Sequence, residues 1–426
     1  MSAALPATPL GSVLLIEDQK AVATWARQTL IQQVGCRVDW APTLAAARAC
    51  LEAAPEPYFL AVADLNLPDA DADGVLELLR THKLPAIAVT GDFDKALRSK
   101  LLRQGLVDYV LKDSSHVYRY VASLVQRLWR NRSQSVLVVD DSPASRGLVA
   151  SWLVRQGLRV HQAGDGQAAL DCLSRDPAIR LVLTDRHMPG MDGFGLVKAL
   201  RKLRGRDRLA IIGVSASEDQ ELSARFLKLG ANDFLAKPFS YEELCARVHQ
   251  NLDMLDSLDA LRELASRDAL TGLYNRRHFF AEGPVRLGTP PPPQEQHVAL
   301  MLDVDHFKQV NDRRGHAAGD AVLRQMGSLL SQHFPDGLVA RLGGEEFAVL
   351  LTGPLNDLYR RAELFREHFS QSEQHNPVDG QAFHCTVSVG ASPCAGQDLD
   401  AWLRAADARL YEAKQGGRDR VVWGGA

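Results

Sequence analysis

Across the first 250 residues, apolar and polar positions follow one pattern that occurs twice. Short apolar runs ending in acids or hydroxyls alternate with longer stretches whose apolar residues recur every three or four positions. This is the signature of parallel strands joined by amphipathic helices. The pattern predicts strands at Val13–Asp18, Cys36–Trp40, Phe59–Leu65, Ala86–Gly91 and Asp108–Lys112 in the first copy. In the second copy it predicts Val136–Asp141, Arg159–Ala163, Leu181–Arg186, Ala210–Ala216 and Asp233–Lys237. A duplication this long describes two similar domains rather than a solenoid. They are placed at 11–131 and 135–252, joined by the polar stretch Asn131–Ser135.

From Tyr241 to about Ser266 the chain reads as one helix, with Leu244, Val248, Leu252, Leu255, Leu258 and Leu261 forming an apolar seam. A closing helix of the second domain needs only about four turns. The remainder, 253–267, is therefore expected to be a dimerising stalk, the alternative being that the whole helix packs on its own sheet. Residues 268–426 mix strands and helices in a third domain. Their TPPPPQ run at 289–294 reads as a stiff surface loop, because apolar strand sequence at His297–Asp303 follows directly.

Composition narrows the class of protein. A chain of 426 residues suggests about three domains, and 46% hydrophobic with 24% charged residues fits a soluble globular protein. A net charge of −3 argues against sequence-independent nucleic-acid binding but leaves room for a local phosphate site. There is no apolar run of eighteen residues, and the opening MSAALPATPLGS lacks the features of a signal peptide. The expectation is a cytoplasmic protein with no membrane partner. Cysteines 36, 50, 172, 245, 385 and 394 show no ligand spacing and read as idle thiols of a reducing compartment.

Each N-terminal copy carries an acidic pair after strand one, an Asp after strand three, a hydroxyl after strand four and a Lys after strand five. These are Glu17, Asp18, Asp64, Thr90 and Lys112, then Asp140, Asp141, Asp185, Ser215 and Lys237. Parallel α/β sheets build their sites at the carboxyl ends of strands. Carboxylates converging there need a hard divalent cation, most simply Mg²⁺ bound through acids such as Asp18 and Asp141. One Asp can then act as nucleophile toward a phosphoryl group. The ordered set resembles the receiver domains of two-component response regulators, with LTDRHMPGMDG and FLAKPF especially close. The resemblance implies a flavodoxin-like, doubly wound five-stranded sheet in each copy. It also implies phosphorylation of Asp64 and Asp185 by a sensor histidine kinase or phosphotransfer protein. In the first copy, DLNLPDADADG is two residues longer between Asp and Gly than the second copy's segment, and Asp113 stands where the family usually has Pro.

In the third domain, VARLGGEEFAVLL reads as strand, tight turn, strand. Upstream, ALMLDVDHFKQVND is a strand with Asp303 and Asp305 on one face. Carboxylates from two such places can hold Mg²⁺ against a triphosphate. The region resembles the GGDEF family of diguanylate cyclases. The resemblance rests on DALTGLYNRRHF, DVDHFKQVNDRRGHAAGD, GGEEF, TVSVGAS and DARLYEAKQGGRDRVV. It implies a nucleotidyl-cyclase-like α+β fold with an antiparallel sheet. It further implies that Asp303, the Val304 carbonyl and Glu345 bind Mg²⁺ beside Glu346, with Glu345 helping to deprotonate a 3′-hydroxyl. Lys308 would stabilise phosphate charge, Asn311 and Asp320 would read guanine, and Lys414 and Arg418 would contact the phosphate tail. Gly343 and Gly344 would let GTP approach the turn. Each domain would hold one GTP, so catalysis would need a homodimer. The RxxD product-inhibition motif of many relatives is replaced by Phe334, Pro335, Asp336 and Gly337. Rival readings are an inactive GGDEF receptor for GTP or cyclic di-GMP, and a phosphorelay scaffold.

Overall fold

The computed structural model describes residues 10–91, 105–112, 117–216, 220–393 and 398–424. It forms two compact units, Met1–Leu258 and Asp259–Ala426. The first unit contains both copies of the repeat. Strands β1 (Leu10–Ile16), β2 (Cys36–Ala41), β3 (Leu60–Asp64), β4 (Ala86–Thr90) and β5 (Asp108–Leu111) form a parallel sheet ordered β2-β1-β3-β4-β5. Helices α1 (Lys20–Val34), α2 (Leu44–Ala53), α3 (Ala72–Thr81) and α4 (Val117–Asn131) connect or follow them. The second copy repeats the plan with β6 (Ser135–Val139), β7 (Arg159–Ala163), β8 (Ile179–Asp185), β9 (Ala210–Ser215) and β10 (Asp233–Ala236), ordered β7-β6-β8-β9-β10. Its helices are α5 (Pro143–Arg155), α6 (Gly166–Arg175), α7 (Gly193–Leu203), α8 (Gln220–Leu229) and α9 (Tyr241–Ser266). Every residue of β3 is buried, because helices cover both faces of a parallel sheet. Each sheet accordingly has two apolar clusters, one per face.

The apparent lengthening of the first copy is not an insertion. Asp71 caps α3 seven residues after Asp64, as Asp192 caps α7 seven residues after Asp185. Gly74 therefore corresponds to Gly195, each donating its N–H to the capping carboxylate. Asp113 and Cys394 lie outside the described residues; the other five cysteines are free thiols.

The two copies meet through α4, α5 and α9. Tyr241 and Gln156 both donate to the Val107 carbonyl, at 2.8 and 3.0 Å. The Arg127 guanidinium, 3% exposed, reaches Asp253 at 2.9 Å and Asp256 at 2.6 Å. The seam of α9 is receiver-like core through Leu244, Val248, Leu252 and Leu255, all fully buried. Farther along, Leu261 and Leu264 are exposed.

The second unit centres on a six-stranded sheet ordered β11-β13-β14-β12-β17-β18. The strands are β11 (Tyr274–Asn275), β12 (Gln296–Val304), β13 (Leu338–Gly343), β14 (Glu346–Gly353), β17 (Val387–Pro393) and β18 (Val421–Trp423). A small hairpin, β15 (Gln374–His375) and β16 (Ala382–Phe383), stands apart from that sheet. The helices are α10 (Arg276–Leu287), α11 (Phe307–Arg314), α12 (His316–His333), α13 (Leu355–Gln371) and α14 (Leu399–Gln415). The four inner strands pair antiparallel as expected, but β11–β13 and β17–β18 pair parallel. The sheet is thus mixed at both edges. On one side the cause is α14, which carries the chain back across the sheet so that β18 runs with β17. The TPPPPQ run lies between α10 and β12, inside this unit.

Candidate active site and receiver sites

Strand β12 lies between β14 and β17 and is buried along almost its whole length, so its acidic C-terminal end is delivered into the middle of the sheet. Asp303, 6% exposed, stands opposite Glu346 on β14 and Ser388 on β17. The Lys414 ammonium on α14 sits 2.9 Å from its Oδ2. Burial pushes the Asp303 carboxyl above its usual range; Lys414 draws it down, and Glu345 and Asp305 push it up again. Mutual repulsion of this kind fits a donor set for a hard divalent cation.

The β13–β14 hairpin holds Glu345 half-buried and Glu346 exposed. Gly344 adopts φ 52°, a left-handed conformation that a side chain would strain. Arg341 fastens this turn, donating to the Gly344 carbonyl at 2.9 and 2.7 Å and pairing with Asp268 at 3.1 Å. Asp268 also accepts from the backbone and hydroxyl of Thr271. The DALTGLYNRR segment thus acts as a brace for the turn, which pattern reading could not show because Asp268 and Arg341 are far apart in sequence.

Lys308 is exposed on the first turn of α11, and Val304 is the last, buried residue of β12. Asn311 lies against the start of α12: a Cβ at Gly319 would sit 2.0 Å from its Oδ1. Asp320 follows on α12, 3.9 Å from Arg324. Arg418 approaches Asp305 at 4.0 Å. The structure therefore gathers Asp303, Asp305, Glu345, Lys414 and Arg418 at one end of β12, with Lys308, Asn311 and Asp320 on the helices that follow. Sequence reading missed the partners of Asp305. Thr386 and Ser388 each donate a hydroxyl to it at 2.7 Å, and the period-two spacing of TVS was the available signal.

In the loop before β13, Phe334 is 1% exposed and packs in the core. Asp336 is drawn outward by Arg361, at 3.1 Å between Nη1 and Oδ2, and its carbonyl accepts from Arg286.

In the first copy Lys112 bridges Glu17 at 2.7 Å and Asp64 at 2.6 Å, and Tyr118 donates to Glu17 at 3.0 Å. Burial works against the Lys112 charge, but the two carboxylates outweigh it and raise its pKa. Oxygens of Glu17, Asp18 and Asp64 lie within 4.8 Å of one another, close enough to share one metal ion. In the second copy Lys237 bridges Asp140 at 2.8 Å and Asp185 at 2.6 Å, while Ser145 donates to Asp140 at 2.7 Å. Asp141 is exposed there, as Asp18 is in the first copy. Thr90 and Ser215 are both buried at the ends of β4 and β9.

Residues 13–118 and 136–249 match the response regulator receiver domain, and residues 265–420 match the diguanylate cyclase GGDEF domain. The response regulator PleD of Caulobacter vibrioides is 28% identical over 401 residues, covering 84% of this chain and 88% of PleD. The diguanylate cyclase VdcA of Vibrio cholerae serotype O1 is 35% identical over 216 residues, 49% of this chain and 58% of VdcA. A solved two-component response regulator/GGDEF domain protein is 43% identical with a TM-score of 0.54, covering 58% of this chain and 99% of its own. Among the described residues no helix is long and apolar enough to cross a membrane.

Proposed function

This chain belongs to the response regulators that join two receiver domains to a GGDEF domain, and from that premise we infer that it condenses two GTP molecules into cyclic di-GMP and two pyrophosphates under the control of receiver phosphorylation. The observation that carries this reading is the acidic end of β12. A buried Asp303, a cross-strand Glu346 and a neighbouring Glu345 share one corner, with Lys414 as the cation beside them. The rival reading, an inactive receptor or scaffold, is not favoured, since Asp303, Lys308 and Glu345 are all retained.

Asp303, Glu345 and the Val304 carbonyl form the donor set for Mg²⁺, with Glu346 beside them. The ion would supply charge neutralisation for the triphosphate. Glu345 takes the proton from the 3′-hydroxyl that attacks the α-phosphate of the second GTP, and pyrophosphate leaves. Lys308, Lys414 and Arg418 steady negative charge on the phosphates. Asn311 and Asp320 hydrogen-bond the guanine edge, and the bare Gly343–Gly344 turn lets the nucleotide close in.

One GTP per domain makes a monomer incompetent, so the working form is a homodimer with two domains face to face. The exposed Leu261 and Leu264 of α9 support self-association along the part of the helix beyond the receiver core. Phosphorylation of Asp64 or Asp185 by a histidine kinase or phosphotransfer protein puts a phosphoryl group of about −1.5 to −2 charge in place of a single carboxylate charge. In each receiver site that charge meets a lysine already bridging two carboxylates, and Mg²⁺ bound by Asp18 or Asp141 and their neighbours would be required for the transfer. Dimerisation driven by the receivers raises the effective concentration of one cyclase domain for the other.

Beryllofluoride, with wild-type, Asp64→Asn and Asp185→Asn proteins, tests the control. Increased dimer by light scattering and faster GTP turnover are expected, with the response lost when the responsible Asp is replaced. An unchanged dimer fraction and rate in the wild type would contradict phosphorylation control.

A further inference from the structure

Asp305 sits two residues after Asp303 on the same face, yet its environment differs from that of a metal ligand. Its side chain is 1% exposed. Oδ1 accepts from the Ser388 hydroxyl at 2.7 Å, and Oδ2 accepts from the Thr386 hydroxyl at 2.7 Å and from the Asp419 backbone N–H at 3.1 Å. Both oxygens are therefore engaged, by donors from β17, from Thr386 just before it and from the turn after α14.

That turn is strained. Arg418 and Asp419 have φ of 64° and 44°, left-handed conformations that cost roughly 1–2 kcal/mol per residue outside glycine. Such a conformation persists only where surrounding contacts over-determine it. Here the Arg418 N–H bonds the Ala413 carbonyl at 3.0 Å, and the Asp419 carboxylate is held by Arg366 at 2.8 Å. The bond from the Asp419 N–H to Asp305 adds a third fastening, reaching from the end of β12 itself. The same carboxylate lies 4.0 Å from the Arg418 guanidinium.

We propose that Asp305 is a positioning residue for GTP: it ties the 418–419 turn to the catalytic strand and so presents Arg418 to the phosphate tail, and it does not bind the metal. This rests on the reading of Arg418 as a phosphate contact.

The chemistry of substitution separates the two roles. An Asn at 305 can keep its carbonyl toward Thr386 and the Asp419 N–H and turn its amide toward the Ser388 hydroxyl, which then accepts. It preserves the fastening but would be a poor substitute for a metal-binding carboxylate. An Ala preserves neither.

The test measures KM for GTP, kcat and the Mg²⁺ concentration giving half-maximal rate in full-length Asp305→Asn, Asp305→Ala, Arg418→Ala and the Asp305→Ala/Arg418→Ala double variant. Asp305→Asn is expected to stay within about threefold of wild type in all three quantities. Asp305→Ala is expected to raise KM about tenfold with a much smaller change in kcat. The double variant is expected to match the worse single variant rather than the product of the two effects. A steeply raised Mg²⁺ requirement in Asp305→Asn would make Asp305 a metal ligand and overturn the proposal, even should the Ala variants fail to fold. A raised KM in Arg418→Ala with a normal KM in Asp305→Ala would overturn the fastening while sparing the phosphate contact. A normal KM in Arg418→Ala would remove the contact itself, and the proposal with it.

Discussion

The Lys414 ammonium lies 2.9 Å from the Asp303 carboxylate, although the two residues are far apart in sequence. Burial, Glu345 and Asp305 all work against the Asp303 charge, and Lys414 offsets them. A carboxyl whose folded pKa is raised costs stability when ionised, so the cost is present at neutral pH and fades as pH falls through the folded pKa. In metal-free protein at pH 7.5, Asp303→Asn should therefore raise the denaturation midpoint, while lowering cyclase activity by about two orders of magnitude or more. Lys414→Met should lower the midpoint under the same conditions. Urea titrations in chelator check both signs.

Between the receivers, Arg127 is buried against Asp253, Asp256 and Asn131. Removing one partner of a buried ion pair leaves the other uncompensated. Arg127→Ala should destabilise the receiver pair by about 3 kcal/mol. Because Asp256 also pairs with Arg180, adding Asp256→Ala should cost less than the sum of the two single changes. Strict additivity in denaturation would contradict the pairing.

His249 on α9 offers a pH signature. Its Nε2 is closed off from solvent without a hydrogen-bond partner, and burial, then Arg127, push its pKa down to about 4. An unfolded His titrates near 6.5. Its contribution is therefore complete above about pH 6.5 and is lost as pH falls toward 4, on the order of 3 kcal/mol in all. His249→Leu should flatten that part of the stability profile. An identical slope between pH 6.5 and 4.5 in both proteins would contradict the assignment.

Feedback control through the loop before β13 should be absent. Phe334 is packed in the core rather than presented to solvent, and Asp336 is engaged by Arg361. An Arg fork gives bidentate contacts to phosphate and guanine that this loop does not offer. Cyclic di-GMP titrated into the assay should give no sub-micromolar non-competitive inhibition. Such inhibition, abolished by changes at 334–337, would show the reading to be wrong.

Strand placement was legible because parallel sheets bury both faces, so runs such as LAVAD and LVLTD stand out from amphipathic helices. The acids, hydroxyls and lysines of the two receivers were legible for the same reason: they end those runs. Counting from Asp64 to the next glycine misled, since the cap at Asp71, not the glycine, marks the helix start. The extent of α9 in the receiver core was hidden too, because a leucine seam looks alike whether it packs on a sheet or on a partner helix. Asp305 shows the same limit at the site. Alternation placed it on the face of Asp303, but its donors arrive from Thr386, Ser388 and Asp419, which only the folded sheet brings near.

The central claim is tested most directly by identifying the product that purified full-length protein makes from GTP in the presence of Mg²⁺. Cyclic di-GMP and pyrophosphate should form in a ratio of one to two, with specific activity rising with protein concentration. Glu345→Ala/Glu346→Ala protein of unchanged circular dichroism should make none. Absence of cyclic di-GMP from beryllofluoride-treated wild type, or a folded double variant turning over near the wild-type rate, would contradict the account.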